Sequence, residues 1–480
     1  MARHDYNFRP EPRWEDGYFI PPAPIPMPKH PDNWDLIDQL QSTFAISRNA
    51  VAATTEVTCS EPYVTTTMLG QTLIVACNPA MIKYIFVENS ENYGLNSIRQ
   101  AILKPILKNG LITAEGKVWK RARRALSPLF TPRHTKNFAP KMQDSIAGEL
   151  SNLFASDTID FNQAMLRLAY LVLSDTLFSA EIEGDTEAVL RDVAIFLTAL
   201  GKPSPLDILG VPKFVPRLGK RKGIQAIGRL RKLVQKLSQD RRTRIEQGVE
   251  VPDDFLTLLL NAEDDDGPLS DLEIEDHIVT FIGAGHETTS RAMTWMAYLL
   301  SQDTAARTRL EAEVDALDMT LPPDQWAAQI PWSMACFNET MRLYPPAPII
   351  SRYAKEADKY GDVEIPKDAN VMVNLWALHR HKQLWERPIA FDPVRFVGDS
   401  GGAIDRFQYL PFGMGHRVCI GQRFAMQEAA ILIAMIFKNY RFEFVGKTPP
   451  WPFMRITVQP QDGMPMTTTR RNHAGSDGIN

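Results

Sequence analysis

Apolar positions recur at three- and four-residue spacing over 138–156, 160–180, 224–247, 271–302, 304–316 and 422–439. That period predicts helices, each with an apolar stripe. Strand-like runs occur near 56–76 and again at 361–375, as Asp362-Val-Glu-Ile-Pro and Asn370-Val-Met-Val-Asn. Residues 20–31 hold six prolines and predict an extended lead-in rather than a helix. The tail from Thr467 is polar and is expected to fray. No repeat and no long linker interrupts the pattern. It reads as an extended lead-in (1–30), one large domain (31–466) and a polar tail (467–480). The fold class is mainly α with small β-sheets near the two ends.

The same pattern speaks to membranes. Met1 to Tyr18 is polar and charged, with no apolar stretch for a signal peptide. The longest uncharged run, Pro62 to Ile82, is broken by Gly70-Gln71 and Asn78-Pro79 and reads as two strands around a turn. The apolar run Ala429–Phe437 is far too short to span a bilayer. We expect no transmembrane anchor and a cytoplasmic location.

Composition narrows the classes. Of 480 residues, 44% are hydrophobic and 23% charged, which excludes a disordered or low-complexity chain. A net charge of −4 argues against a dedicated nucleic-acid binder. Cys59, Cys77, Cys336 and Cys419 stand far apart, so no zinc ribbon or CxxC redox site exists and a disulfide framework is not expected. The stretch 211–247 holds 12 Lys/Arg against Asp240 and Glu246. It reads either as a nucleic-acid or membrane surface or as a solvated helix face over the stripe Ile224, Ile227, Leu230, Val234 and Leu237.

Several motifs fail. His286-Glu287 opens like a zincin, but Ser290 stands where the second His belongs. Gly283-Ala-Gly285 and Gly413-Met-Gly415 reach Thr288 and Val418 at the sixth position, so neither is a dinucleotide loop. Four patterns survive. In Phe412-Gly-Met-Gly415-His-Arg417-Val-Cys419-Ile-Gly421, a cysteine sits in a glycine-rich loop just before a helix. Backbone N–H groups and the helix dipole there would lower a thiol pKa and suit Cys419 to be a thiolate metal ligand; a buried structural cysteine is the other reading. In Ala284-Gly285-His286-Glu287-Thr288-Thr289, the Thr288 hydroxyl is placed to bond the Ala284 carbonyl and bend the helix. That opens a groove beside the acid Glu287, unless Thr288 is merely a satisfied mid-helix threonine. Glu339 and Arg342 share a helix face, with Arg395 in a later turn. Trp119 and Arg123, four apart, face the same way and can hold a carboxylate.

Together these residues resemble the cytochrome P450 family of haem-thiolate monooxygenases. Residues 412–421 match its FxxGxRxCxG signature, 284–289 its [AG]Gx[DE]T[ST] signature, Glu339 and Arg342 its ExxR helix, and Trp119 and Arg123 its WxxxR helix, in the family's order. The resemblance implies haem b (iron protoporphyrin IX) between the long central helix and the cysteine-loop helix. It makes Cys419 the metal ligand, with Phe412 in the cofactor loop and Trp119, Arg123, Arg352 and Arg417 holding the propionates. Glu287 and Thr288 become the catalytic acid and alcohol that deliver protons, and Glu339, Arg342 and Arg395 a structural triad.

The implied reaction inserts one oxygen atom of O2 into a lipophilic small molecule. With no nicotinamide or flavin loop and no fused reductase in this sequence, electrons are expected from an external ferredoxin or flavodoxin-type donor and its reductase. The alternatives are a haem-thiolate peroxygenase or isomerase, or a non-enzymatic haem sensor. By similarity the substrate pocket draws on 93–112, Phe281, Gly283, Ala284, Ala347–Ile350 and Met454–Thr457. On the Trp119 helix, Lys117, Arg121 and Arg124 line the opposite face, and with Arg423 they suggest a basic docking patch for the donor.

Overall fold

The long helix Asp271–Gln302 is the spine of the molecule. Ser270 caps it: the Glu273 N–H donates to the Ser270 hydroxyl, and the Glu273 carboxylate accepts the Ser270 N–H at 2.8 Å. From Ile274 onward nearly every side chain is buried, as expected of a helix enclosed on all sides. A computed structural model describes residues 9–28, 35–68, 70–179, 186–200, 220–264, 266–398, 404–454 and 456–471. Around the spine pack Phe161–Phe178, Lys220–Glu246, Pro331–Leu343 and Gln422–Asn439. The helical period places three of these, read as 160–180, 224–247 and 422–439, to within four residues at each end; Pro331–Leu343 is not among the helices it marks.

Two small sheets flank the helices. One has the order Tyr63–Met68, Gln71–Ala76, Asn370–Asn374, Ile349–Ala354, Tyr93–Leu95, all antiparallel except the second and third, which run parallel. The other joins Tyr440–Phe444, Pro465–Arg470 and Thr158–Asp160. The chain therefore does not fray at Thr467: Thr467–Arg470 pairs with Tyr440–Glu443, because the strand is anchored by fully buried Met464 and Met466. Residues 472–480 lie outside the described residues.

The lead-in is pinned. Its hairpin, Arg13–Glu15 with Tyr18–Ile20, sets Phe19 against Tyr298, and the Tyr344 hydroxyl donates to the Pro22 carbonyl at 2.8 Å. Part of the basic stretch turns inward. Arg241 is bidentate on Asp254 (2.7 and 2.9 Å), and Arg231 pairs with Asp276 at 2.8 Å and with Glu275. Ala226, Ile227, Leu230 and Val234 supply the buried stripe, whereas Ile224 is exposed. Residues 211–219 are not described. Among the described residues no helix is long and apolar enough to cross a membrane.

Candidate active site

The glycine-rich loop turns through Gly413 (φ +74°) and Gly415 (φ +66°). A Cβ on Gly415 would lie 2.2 Å from the Phe86 carbonyl oxygen, so the close approach excludes any side chain there. The Cys419 N–H donates to the Phe412 carbonyl at 2.9 Å and closes the loop, three residues before the helix Gln422–Asn439 begins. The Cys419 side chain is open, but to an interior cavity of about 340 Å³ rather than to bulk solvent. Burial pushes its thiol pKa up, against the Gly421 N–H and the Arg123 guanidinium that pull it down. The expected lowering is thus reversed in direction, because loss of water around a thiolate outweighs one N–H and one cation.

Three elements bring the other motif residues to the same cavity. Trp119 and Arg123 come from the helix Gly116–Leu126, Arg352 from the strand Ile349–Ala354, and Phe412 and Arg417 from the loop itself. Arg123 donates to the Val418 carbonyl at 3.0 Å, and Arg417 to the Ala114 carbonyl at 2.8 Å while lying over the Trp119 ring. Arg352 is buried over the Phe86 ring. Among the described residues Arg123 has no carboxylate partner, and burial disfavours its charge. A cation in that state is suited to meet an anionic group of a bound molecule.

On the opposite wall, Thr288 donates to the Ala284 carbonyl at 3.0 Å, as its i, i+4 spacing predicts. Thr288, Gly285 and Ala284 line the cavity. Glu287 faces elsewhere. It accepts from Arg291 at 2.9 Å, and both are buried at a second, polar cavity of about 800 Å³. Arg291 is held there also by Asn162 and, at 2.5 Å, by Gln459. Acid and alcohol are neighbours in sequence and separated by the helix turn.

The Glu339–Arg342 pair lies beneath the cavity, fully buried rather than on a surface. Arg342 donates twice to Glu339 (2.6 and 2.7 Å) and also to the carbonyls of His379, Pro388 and Ala390. Glu339 additionally accepts the Asp392 N–H at 2.9 Å, and Arg395 lies 3.5 Å from it. A pair enclosed in this way is costly to break singly, about 3–5 kcal/mol.

Of the expected pocket residues, Leu95, Leu111, Ile112, Phe281, Ala284, Ala347, Ile349 and Ile350 line the cavity. A Cβ at Gly283 would instead face the Phe196 ring, 3.7 Å away, and Ile456 lines the second cavity; residue 455 is not described. Sequence reasoning missed Phe130 and Phe255, which close an aromatic cluster with Phe281 (ring centroids 5.0–5.5 Å apart). It also missed Thr289 and Glu428 in the wall. Glu428 had a signal, as the acid that immediately precedes the apolar run 429–437. The basic patch changes too. Arg121 pairs with Asp264 (2.7 Å) and Glu273 (3.0 Å), and Arg124 with Asp264 (2.9 Å). The hairpin carrying Asp264 folds over this helix and neutralises Arg121 and Arg124. Lys117, Arg133 and Arg423 remain exposed with no ion pair among the described residues.

Residues 28–465 match the family model described as "Cytochrome P450". The chain is 31% identical to "Cyclooctatin synthase" of Streptomyces melanosporofaciens, over 80% of this chain and 84% of that protein. It is 28% identical to "Putative cytochrome P450 132" of Mycobacterium bovis, over 84% and 89%, and 26% identical to "Protein LUTEIN DEFICIENT 5, chloroplastic" of Arabidopsis thaliana, over 84% and 71%.

Proposed function

The chain belongs to the cytochrome P450 family, and from that premise we propose that it oxidises a lipophilic small molecule, using haem b held by Cys419. It is a haem monooxygenase by family, and such enzymes use O2 and external redox partners. The observation that carries the residue assignment is the Cys419 thiol opening into a cavity whose rim holds Trp119, Arg123, Arg352 and Arg417. These residues fit the group: a soft sulfur donor lies at the centre, and Arg123 has no carboxylate partner among the described residues. When bound, the haem supplies the activation of dioxygen, which thiolate donation favours.

The chain's own residues do the rest. Trp119, Arg123, Arg352 and Arg417 hold the two propionates, and Phe412 packs in the cofactor loop. Thr288 holds a water in the groove by its hydroxyl, and Glu287 resupplies the proton from the second cavity. The Glu339–Arg342–Arg395 cluster keeps the floor beneath the cysteine loop rigid. Phe130, Phe255 and Phe281 exclude water from the substrate side, which favours a terpenoid, fatty acid or aromatic compound. An acidic ferredoxin or flavodoxin-like carrier docks at Lys117, Arg133 and Arg423, where cations remain unneutralised. Free buried thiols at Cys59, Cys77 and Cys336 suit a cytoplasmic enzyme.

Cys419→Ser should abolish the red-shifted Soret band of the reduced carbonyl complex, since an alcohol is a poorer donor than a thiolate. Replacing Cys59, Cys77 or Cys336 should leave it. Loss of the band at one of those three, with Cys419→Ser intact, would sink the assignment. The orientation of Glu287 away from the first cavity favours a peroxygenase as second reading; turnover on peroxide alone, as fast as with a redox partner, would establish it.

A further inference from the structure

Just beyond the cysteine loop, the helix Gln422–Asn439 places Glu428 in the wall of the first cavity. Among the described residues that line this cavity, Glu428 is the one with a carboxyl group. It is 2% exposed, and Ala429–Phe437 after it are buried and apolar. No ion pair reaches it among the described residues. Its polar neighbour is the Thr289 hydroxyl on the long helix, which is buried in the same cavity wall and has no hydrogen-bond partner of normal geometry among the described residues, Glu428 included. Burial pushes the Glu428 carboxyl up to about 8, and Thr289 draws it back only in part. The other ionisable groups of the cavity, Arg123, Arg352, Arg417 and Cys419, are not among those that act on it. At neutral pH the group holds its proton.

Glu287 makes the contrast. It is tied to Arg291 on the other side of the long helix. Thr288 and Thr289 both line the first cavity, so a proton reaching Thr289 arrives one residue from the proposed alcohol.

We propose that Glu428 donates protons to the cavity through Thr289. The carboxyl O–H proton passes to the Thr289 oxygen, the hydroxyl's own proton passes to a cavity water beside Thr288, and the carboxylate left behind recovers a proton from solvent between turnovers. The use of this proton in catalysis rests on the haem-monooxygenase reading; the presence of a neutral acid at Glu428 does not.

The test has two arms on the haem-loaded protein. Infrared difference spectra across a pH titration should show a protonated-carboxyl stretch at neutral pH that is lost with a midpoint near 8. Glu428→Gln should remove the band and Glu287→Gln should keep it. Absence of such a band overturns the proposal. In turnover, Glu428→Gln should lower product per electron pair by about fivefold or more and raise peroxide to match. Thr289→Val should do the same with the infrared band retained. Unchanged coupling in Thr289→Val overturns the relay, and that variant decides alone if Glu428→Gln does not take up haem. The reduced carbonyl spectrum of each sample separates the two readings: its loss condemns the Cys419 assignment, while the infrared arm still decides the state of Glu428.

Discussion

The two sides of the long helix between Ala284 and Arg291 solve the burial of polar groups in opposite ways. Toward Gln459 and Asn162, the acid Glu287 is answered by a full cation, Arg291, and the cavity there is polar. Toward the cysteine loop, Glu428 has the Thr289 hydroxyl as its polar neighbour and no ion pair among the described residues. A buried carboxyl is ionised where a guanidinium offsets its loss of water, and takes up a proton where nothing does. One helix turn thus divides a carboxyl held by a guanidinium from one with no ion pair among the described residues.

Breaking the charged side should have the largest effect. Arg291→Leu leaves Glu287 buried without its cation, and we expect a loss of about 3–5 kcal/mol in denaturant unfolding. Adding Glu287→Leu should recover much of it; a single-variant loss below about 1 kcal/mol would show that water already screens the pair. Thr288→Ala probes the neutral side. It removes one hydroxyl and its bond to the Ala284 carbonyl, so stability should move by about 1 kcal/mol or less. Product per electron pair should fall about tenfold while peroxide rises. Unchanged coupling would reduce Thr288 to a helix-bending residue. The smallest effect is expected at Gly285, on the dividing turn itself. A Cβ there would lie 3.0 Å from Leu173 Cδ1. The gain in helix propensity, about 1 kcal/mol, opposes a crowding cost of similar size. Gly285→Ala should therefore change the unfolding midpoint little, and a large loss would reveal that Leu173 cannot yield.

Much of the site is legible in the sequence. The cysteine loop, the Trp119–Arg123 spacing and the Thr288–Ala284 bond each rest on residues within ten positions of one another, where backbone geometry alone settles who can meet. Arg352 stands 67 residues before Cys419 and 229 after Arg123, and the sheet carries it to the cavity they share. The docking patch shows the opposite case. Helical spacing correctly placed Lys117, Arg121 and Arg124 along one helix, but Asp264 and Glu273 arrive from more than 130 residues away and take up two of the three charges. The spacing of Glu339 and Arg342 shows only that they share a helix face, and the pair becomes a buried hub because the carbonyls of His379, Pro388 and Ala390 fold over it.

The sequence by itself determined the helices, the loop that presents Cys419, and the family to which those motifs belong, because each depends on periodicity or on φ/ψ choices made locally. Tertiary structure alone decided which charges are neutralised and which carboxyl has its pKa raised by burial. Those outcomes turn on desolvation and on partners supplied by remote segments. The free energy of a charged group is set by whatever surrounds it within a few ångströms, whatever its distance along the chain.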